Sequence, residues 1–518
     1  MIELSAAEVT QAVAGTLMGA DDESAQSIRV SSATTDSREV VTGTLFLAKP
    51  GETTDGHNFV PSAFESGATL ALVERQITDA NGALYPSVLV DDVVLAMGRL
   101  AAFIIEKLRG AGEITVIGIT GSAGKTTTKD LLAGIFATAG KTVAPVGSFN
   151  GEVGVPLTVF RAEYDTRYLV IEMGADGLGH IEYLANIVKP DVGAILKVGT
   201  AHAGEFGGVD NIEKTKGELA EGVSQALALN DDDYRVRRMI SRSSVPTIYF
   251  GVGESNHDGG VQPRVSATNL VTGATGCPEF TLHFPDGQSF AIASRLIGEH
   301  HVYNLLAAAT LAYQVGIKTS VIAEKLNELG ATSRWRMERT EREDGVTVIN
   351  DAYNANPESM AAALRALAQL GRQEPPRRTW AVLGAMLELG DASAEEHDKL
   401  GRLAVRMNIS KLIAIGAEAK PIYNAAHLEG SWGNEATWVE TNDQALEILR
   451  SELAPGDVVL FKSSNAAKVK DLGDQVAQDA PENHATETRT ASWLSAGDFV
   501  NPVNSDFGAK TTPDDTQE

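Results

Sequence analysis

The chain of 518 residues has one cysteine, Cys277, and only 6% aromatic residues. A single thiol excludes a disulfide framework and a thiolate metal cluster, and it fits a reducing compartment. Basic residues are also scarce: 43 Lys and Arg stand against 69 Asp and Glu, a formal net charge of −26. Such a field repels polyanions, so no nucleic-acid partner is expected. A nucleotide can still bind, because backbone N–H groups and one lysine act locally where the distant field is weak. No run approaches the roughly 18 uninterrupted apolar residues of a membrane span. The start, "MIELSAAEVTQAVAG", lacks the basic and apolar regions of a signal peptide. No membrane insertion is expected, and the cytoplasm is the expected setting.

What is plentiful is glycine, with 50 residues, in a chain of 43% hydrophobic content. That balance is normal for a globular protein, and the length suggests about three domains. Residues 1–110 read as a mixed α/β unit. From 111 to 333 strand-like runs alternate with helical ones, the pattern of a parallel sheet covered by helices. The strands are expected at Ile114–Ile119, Tyr168–Glu172, Val192–Val198 and Ala226–Leu229. A hairpin is expected around Asp286–Gly287, and a helix over His301–Val315. Residues 334–478 repeat the rhythm in "VTVIN", "TWAVLG", "LIAIG", "TWVE" and "DVVLFK". Ser393 with Glu396 predicts a capping box at one helix start. Residues 479–518 are polar, acidic and poor in aliphatics, and read as a disordered tail. The fold class is therefore α/β.

The most informative stretch is "GITGSAGKTTTKD", Gly118–Asp130, directly after an apolar run and ahead of "LLAGIFATAG". The long form of the phosphate loop has a glycine five places before the Gly–Lys pair; Ile119 stands there, so this is a shorter form. Its mechanics survive. Gly121, Ser122, Ala123 and Gly124 let backbone N–H groups close on phosphate oxygens, and the next helix presents its positive end through Thr127. Lys125 can reach the terminal phosphates of ATP, and the Thr126 hydroxyl can sit on magnesium.

Two further residues lie just past expected strands. Glu172 ends "YLVIEMGA", and His202 follows the next strand in "GTAHAGEFGG". Open parallel sheets bind ligands outside the carboxyl ends of their strands, so both can face the phosphate loop as magnesium ligands. Each also has a structural reading, Glu172 as a helix-cap partner and His202 as a loop histidine. Lys216, in "NIEKTKGELA", reads from the residues alone as a solvated ion pair with Glu213 three positions earlier.

These motifs, with "EMGADGLGHI", "KTKGEL", "HHVYNLLAAA" and "NDAYNANPESM", resemble the Mur ligases of peptidoglycan synthesis over roughly residues 25–475. The segments "TDSREVVTGTLFLAKPGETTDGHNF" and "LGAMLELGDASAEEHDKLG" resemble the member that joins D-alanyl-D-alanine to UDP-N-acetylmuramoyl-tripeptide. The resemblance implies three domains: an N-terminal one for the UDP-sugar peptide, a central phosphate-loop one for ATP, and a Rossmann-like C-terminal one for the dipeptide. It implies that Lys216 is carbamylated and, with Thr126, Glu172 and His202, holds magnesium. It further implies that Asn304 and Asp351 touch the nucleotide and that Arg336 acts at the junction of the second and third domains. Ser37, Arg38, Asp55, Gly56 and His57 would line the uridine site, while Asn150, Asn354 and Asn356 would face substrate. The expected working form is a monomer.

The match has departures. Ser148 and Gly151 stand where relatives often have Asn, and Ser463, Ser464 and Asn465 where many have Gly-Ser-Arg. A kinase or switch NTPase would also use the phosphate loop, but it leaves the first and last domains without a task. A folylpolyglutamate synthase lacks a domain to match the roughly 110 residues before the loop.

Overall fold

The computed structural model describes residues 1–51, 54–199, 206–254, 263–430, 433 and 435–479. The expected tail from 480 onward, and His202, lie outside the described residues. Asp479 is described, and its carboxylate pairs with Arg450 at 2.8 Å.

Among the described residues the largest sheet has nine strands. In spatial order they are Ser289–Ala293, Pro278–His283, Arg264–Thr272, Thr247–Val252, Ala226–Asn230, Val192–Ile195, Thr115–Thr120, Tyr168–Glu172 and Thr142–Val143. All pairings are parallel except those of the two hairpin strands at one edge. Runs such as "TVIGIT" and "YLVIE" are apolar almost throughout because helices cover both faces. After Thr115–Thr120 the chain builds strands on one side of it, then continues with Val192–Ile195 on the other. That reversal opens a crevice at the strands' carboxyl ends, next to the loop that leaves Thr120.

The C-terminal sheet has six strands, in the order Glu338–Glu341, Thr347–Asn350, Val458–Lys462, Thr379–Leu383, Lys411–Ile415 and Ala436–Val439. Only its first strand is antiparallel. The N-terminal region holds a five-stranded sheet, Thr16–Met18, Ser87–Leu89, Ala68–Val73, Thr44–Leu47 and Ser32–Thr34, beside a two-stranded one. The α/β reading holds, as do the expected hairpin, with Pro278–His283 paired to Ser289–Ala293, and the helix His301–Gln314.

The capping box expected at Ser393 does not form. A 3-10 turn over Gly390–Ala392 runs straight into the helix Ser393–Arg406, so Ser393 is already αR, at φ −53° and ψ −52°. A residue with helical dihedrals cannot turn its hydroxyl onto its own third N–H. Capping boxes occur instead at Ser5 with Glu8, Asn356 with Ser359, and Thr441 with Gln444.

Candidate active site

The phosphate loop is built by two left-handed glycines. Gly121 has φ +153° and Gly124 φ +88°, and a Cβ on Gly124 would collide with the Asn304 carboxamide oxygen. Gly124 leads into the helix Lys125–Phe136, whose first N–H groups open toward the crevice. The loop is fastened to the neighbouring strand end: Ser122 N–H donates to Lys197 O, and Ser122 Oγ accepts from Gly199 N–H, each at 2.9 Å. Lys125 Nζ donates to Gly121 O at 2.8 Å, lying across the loop. Burial holds its ammonium below the ordinary lysine value, opposed by the nearby Glu172 carboxylate.

Glu172 ends its strand fully buried. Its Oε1 accepts from Ser148 Oγ at 2.9 Å and from Asn150 Nδ2 at 2.7 Å. Among the described residues its Oε2 is buried with no partner. A desolvated carboxylate oxygen without a donor is costly, and it is the donor that a hard divalent cation takes. Thr126, 6% exposed, adds a hydroxyl oxygen at the start of the adjacent helix. Among the described residues no three His, Cys, Asp or Glu side chains cluster as a ready-made metal site. The oxygen donors on hand suit magnesium rather than a transition metal.

Lys216 is buried on the helix Val209–Gly222, its Nζ 5.7 Å from the centre of the Phe206 ring. The ion pair with Glu213 read from spacing alone is absent: Glu213 faces the other way, bound by Arg235 and Arg238. Burial, reinforced by the charge of Lys125, pulls the Lys216 ammonium down to about 7. Much of it is then a free amine near neutral pH, whereas an ordinary lysine there is almost wholly protonated.

The C-terminal sheet closes the crevice. Arg336 extends Nη2 to within 3.4 Å of Thr126 Oγ1, with its guanidinium 4.4 Å from the Tyr353 ring centre and its Nε buried without a partner among the described residues. Asp351 follows the strand Thr347–Asn350; its Oδ1 accepts from Met337 N–H at 3.1 Å. Lys462, which the sequence reading passed over, ends the adjacent strand and donates to Asp351 Oδ2 at 2.6 Å. The signal was available, since Lys462 obeys the same strand-end rule as Glu172.

One cavity of about 1590 Å³ is lined by residues 121–127, Asn150, Glu172, Lys216, Asn304, Arg336, Asp351, Asn354 and Asn356, with Ser148, His301 and Lys462 among the rest. Asn304 Nδ2 lies 2.9 Å from His301 Nδ1, beside the loop. Ser37, Arg38, Asp55, Gly56 and His57 are not among its lining; from the N-terminal region Thr35 reaches it. His57 is buried, with Nδ1 2.6 Å from Asp55 Oδ1 and Nε2 accepting from Glu74 N–H at 2.8 Å. Asp55 is held well below the usual carboxylate range by hydrogen bonds from His57 and then Arg75. Arg38 is exposed and bidentate on Asp36.

The departures have local roles. Ser148 is one of the two donors on Glu172. Ser464 Oγ accepts from Leu387 N–H at 3.0 Å, and Asn465 Oδ1 accepts from Lys470 Nζ at 2.6 Å.

Family models cover this arrangement. The Mur ligase middle domain matches residues 119–312, the Mur ligase glutamate ligase domain 335–465, and the Mur ligase family catalytic domain 29–104. The UDP-N-acetylmuramoyl-tripeptide–D-alanyl-D-alanine ligase of Mycobacterium tuberculosis is 42% identical over 511 residues, 92% of this chain and 98% of that one. The chain belongs to the Mur ligase family.

Solved members share the fold of this Mur ligase. MurF from Acinetobacter baumannii superposes with a TM-score of 0.78 at 30% identity, over 92% of this chain and 99% of that one. MurF from Thermotoga maritima, solved in complex with ADP, gives 0.70 at 27% identity, over 86% and 97%. Among the described residues no helix of this Mur ligase is long and apolar enough to cross a membrane.

Proposed function

We infer that this Mur ligase joins D-alanyl-D-alanine to the tripeptide carboxylate of UDP-N-acetylmuramoyl-tripeptide at the expense of ATP. The product is the UDP-N-acetylmuramoyl-pentapeptide precursor of peptidoglycan, with ADP and phosphate. One observation carries the reading. A single cavity gathers a phosphate loop, a buried carboxylate oxygen without a donor among the described residues and a buried lysine, with Arg336 from the segment before the C-terminal sheet and Asp351 from that sheet's strand end.

The chemistry follows from leaving groups. An amine does not displace oxide from a carboxylate. The carboxylate oxygen therefore attacks the γ-phosphorus of ATP, the bond to the β-phosphate oxygen breaks, and ADP leaves. The dipeptide amine then attacks the acyl carbon of the acyl phosphate, phosphate departs and the amine loses a proton. Phosphoryl transfer depends on positioning and charge neutralisation rather than covalent help. Lys125 and the first N–H groups of the helix Lys125–Phe136 hold the phosphates. Arg336, its Nε without a partner among the described residues, lies over Thr126 to take up charge that develops there. Asn304 and Asp351 are the proposed nucleotide contacts beyond the phosphates, and Asn150, Asn354 and Asn356 line the same cavity toward substrate. The remaining proposed substrate residues, Ser37, Arg38, Asp55, Gly56 and His57, form the uridine end.

Magnesium when bound supplies positive charge between two anions, the carboxylate and the γ-phosphate. Thr126, Glu172 and Lys216 are proposed to hold it, with His202, outside the described residues. Lys216 serves as a ligand only once its neutral amine has added to carbon dioxide, forming an N–C bond and releasing a proton. Its depressed protonation favours that addition. The described chain supplies every other proposed group, so a monomer is the proposed working form, and the nucleotide-linked substrates suit the cytoplasm.

Phosphate release against a matrix of nucleotide-peptide donors and amine acceptors tests this reading. Turnover is expected only with both UDP-N-acetylmuramoyl-tripeptide and D-alanyl-D-alanine. Steady ATP hydrolysis without any acceptor would overturn it in favour of an NTPase.

A further inference from the structure

The helix that starts at the phosphate loop carries a pair of opposite charges one turn on from Lys125. Lys129, 3% exposed, pairs with Asp130 Oδ1 at 2.5 Å, and its Nζ also reaches Pro145 O at 3.2 Å and Ser333 Oγ at 3.3 Å. Asp130 Oδ2 accepts from Ser333 N–H at 3.2 Å. Neither Lys129 nor Asp130 is among the residues lining the active-site cavity. Ser333 lies in the segment that joins the nine-stranded sheet to the C-terminal one, three residues before Arg336. Three residues of chain reach at most about 10 Å. Fixing Ser333 on the phosphate-loop helix therefore confines where Arg336 can stand relative to the loop.

The chain on both sides of Arg336 is also fixed to the C-terminal body, through Asp474 on the helix Val469–Gln478 and through Asp351. Trp335 Nε1 donates to Asp474 at 3.0 Å, and Met337 N–H donates to Asp351 Oδ1 at 3.1 Å. Trp335 and Met337 are both left-handed, at φ +58° and +52°, on either side of Arg336. Non-glycine residues hold that conformation only where their surroundings impose it. Arg336 thus stands three residues from an anchor on the phosphate-loop helix and beside anchors on the C-terminal body, with a left-handed residue on each flank.

We infer that Lys129, Asp130 and Ser333 form a latch that positions Arg336 on the phosphate loop, tying nucleotide grip to the placement of that guanidinium. Lys129 and Asp130 are positioning residues, since they act through the linker and touch no proposed substrate. The inference rests on the reading of Arg336 as a charge-stabilising group.

A double-mutant cycle tests the latch. Asp130→Asn puts an amide where a carboxylate now serves both Lys129 and the Ser333 N–H, so one of those two bonds is lost. In the full-length protein kcat is expected to fall about tenfold, in line with the steep dependence of catalysis on sub-ångström placement, with KM for ATP nearly unchanged. In an Arg336→Lys background the same change is expected to cost less than about twofold, because coupled residues are not additive. Faster amide hydrogen exchange at Ser333 should accompany the loss. Ser333→Ala, which removes only the contact with Lys129 Nζ, should move the same readouts in the same direction if Asp130→Asn folds poorly. A tenfold loss in both backgrounds, or no loss in either, overturns the latch while leaving Arg336 its role. An Arg336→Lys enzyme with full activity overturns that role and the latch together.

Discussion

Ser148 Oγ donates to Glu172 Oε1 at 2.9 Å, fixing one carboxylate oxygen while the other, Oε2, stays buried without a partner among the described residues. The serine therefore orients a group proposed to bind metal. Loss of such an outer partner typically costs 10- to 100-fold in metal affinity, by about that order. Asn150 also holds Oε1, so Ser148→Ala is expected at the lower end, about tenfold. The checks are the magnesium dependence of phosphate release and Mn2+ binding by electron paramagnetic resonance in the presence of ADP. Glu172→Gln should abolish the protein-bound fraction of Mn2+, leaving the resonance of free and ADP-bound ion; an unchanged bound fraction would remove Glu172 from the metal site.

Lys125 and Gly124 are expected to fail differently. Removing one preorganised charge from a phosphoryl-transfer site costs on the order of 100- to 1000-fold in rate, so Lys125→Ala should be nearly inactive yet folded. Gly124→Ala asks an L-residue to hold φ +88° and drives its Cβ into Asn304. Its backbone cost alone is on the order of 1–3 kcal/mol. Calorimetric titration with a non-hydrolysable ATP analogue should show weakened binding in both, but only Gly124→Ala should lower Tm.

Much of the crevice is legible in the sequence because strand ends and glycines follow local rules. "YLVIE" is apolar to its last residue, so a buried terminal Glu172 has one exit, toward the crevice. The phosphate loop carries its own turn chemistry in Gly121 and Gly124. Long-range partnerships are the part that local rules miss. Spacing pairs Lys216 with Glu213, but the helix Val209–Gly222 buries one and turns the other toward Arg235 and Arg238. Ser393 carries a capping signature that a preceding 3-10 turn makes unusable. Asp130 reads as an ordinary helix residue, and only the folded chain brings Ser333 to it across 203 positions.

Lys462 and Asp351 make a buried pair whose loss should be felt in stability and nucleotide affinity together. Lys462 is 2% exposed and gives three hydrogen bonds, to Asp351 Oδ2, Asp351 O and Asn354 O. Burial lowers its protonation and the Asp351 carboxylate opposes that. Removing one partner of a buried pair costs about 3–5 kcal/mol, because the other is left desolvated. Lys462→Met should lose that order of stability in urea unfolding. It should also weaken ATP binding, since Asp351 then lacks the hydrogen bond that orients its Oδ2. A variant of unchanged stability would place Lys462 in solvent.

Acidification should act on the C-terminal sheet through His397. The ring is fully buried: Nε2 accepts from Met386 N–H at 2.9 Å, and Nδ1 donates to Ser393 O at 2.7 Å. Burial holds its protonation below the ordinary histidine value, against the raising effect of Ser393 O, Glu418 and Glu396. The unfolded chain then binds more protons between the folded value and the ordinary one of about 6.5, so stability falls as pH drops through that window. Charging Nε2 also removes the acceptor for Met386 N–H, freeing the loop that Ser464 holds at Leu387. The wild-type Tm should therefore decline more steeply from pH 7.5 to 5.5 than that of His397→Gln, which cannot titrate. Exposed carboxylates contribute equally to both and cancel in the comparison. Parallel slopes would mean that His397 takes up its proton without cost, and the buried neutral ring described here would be wrong.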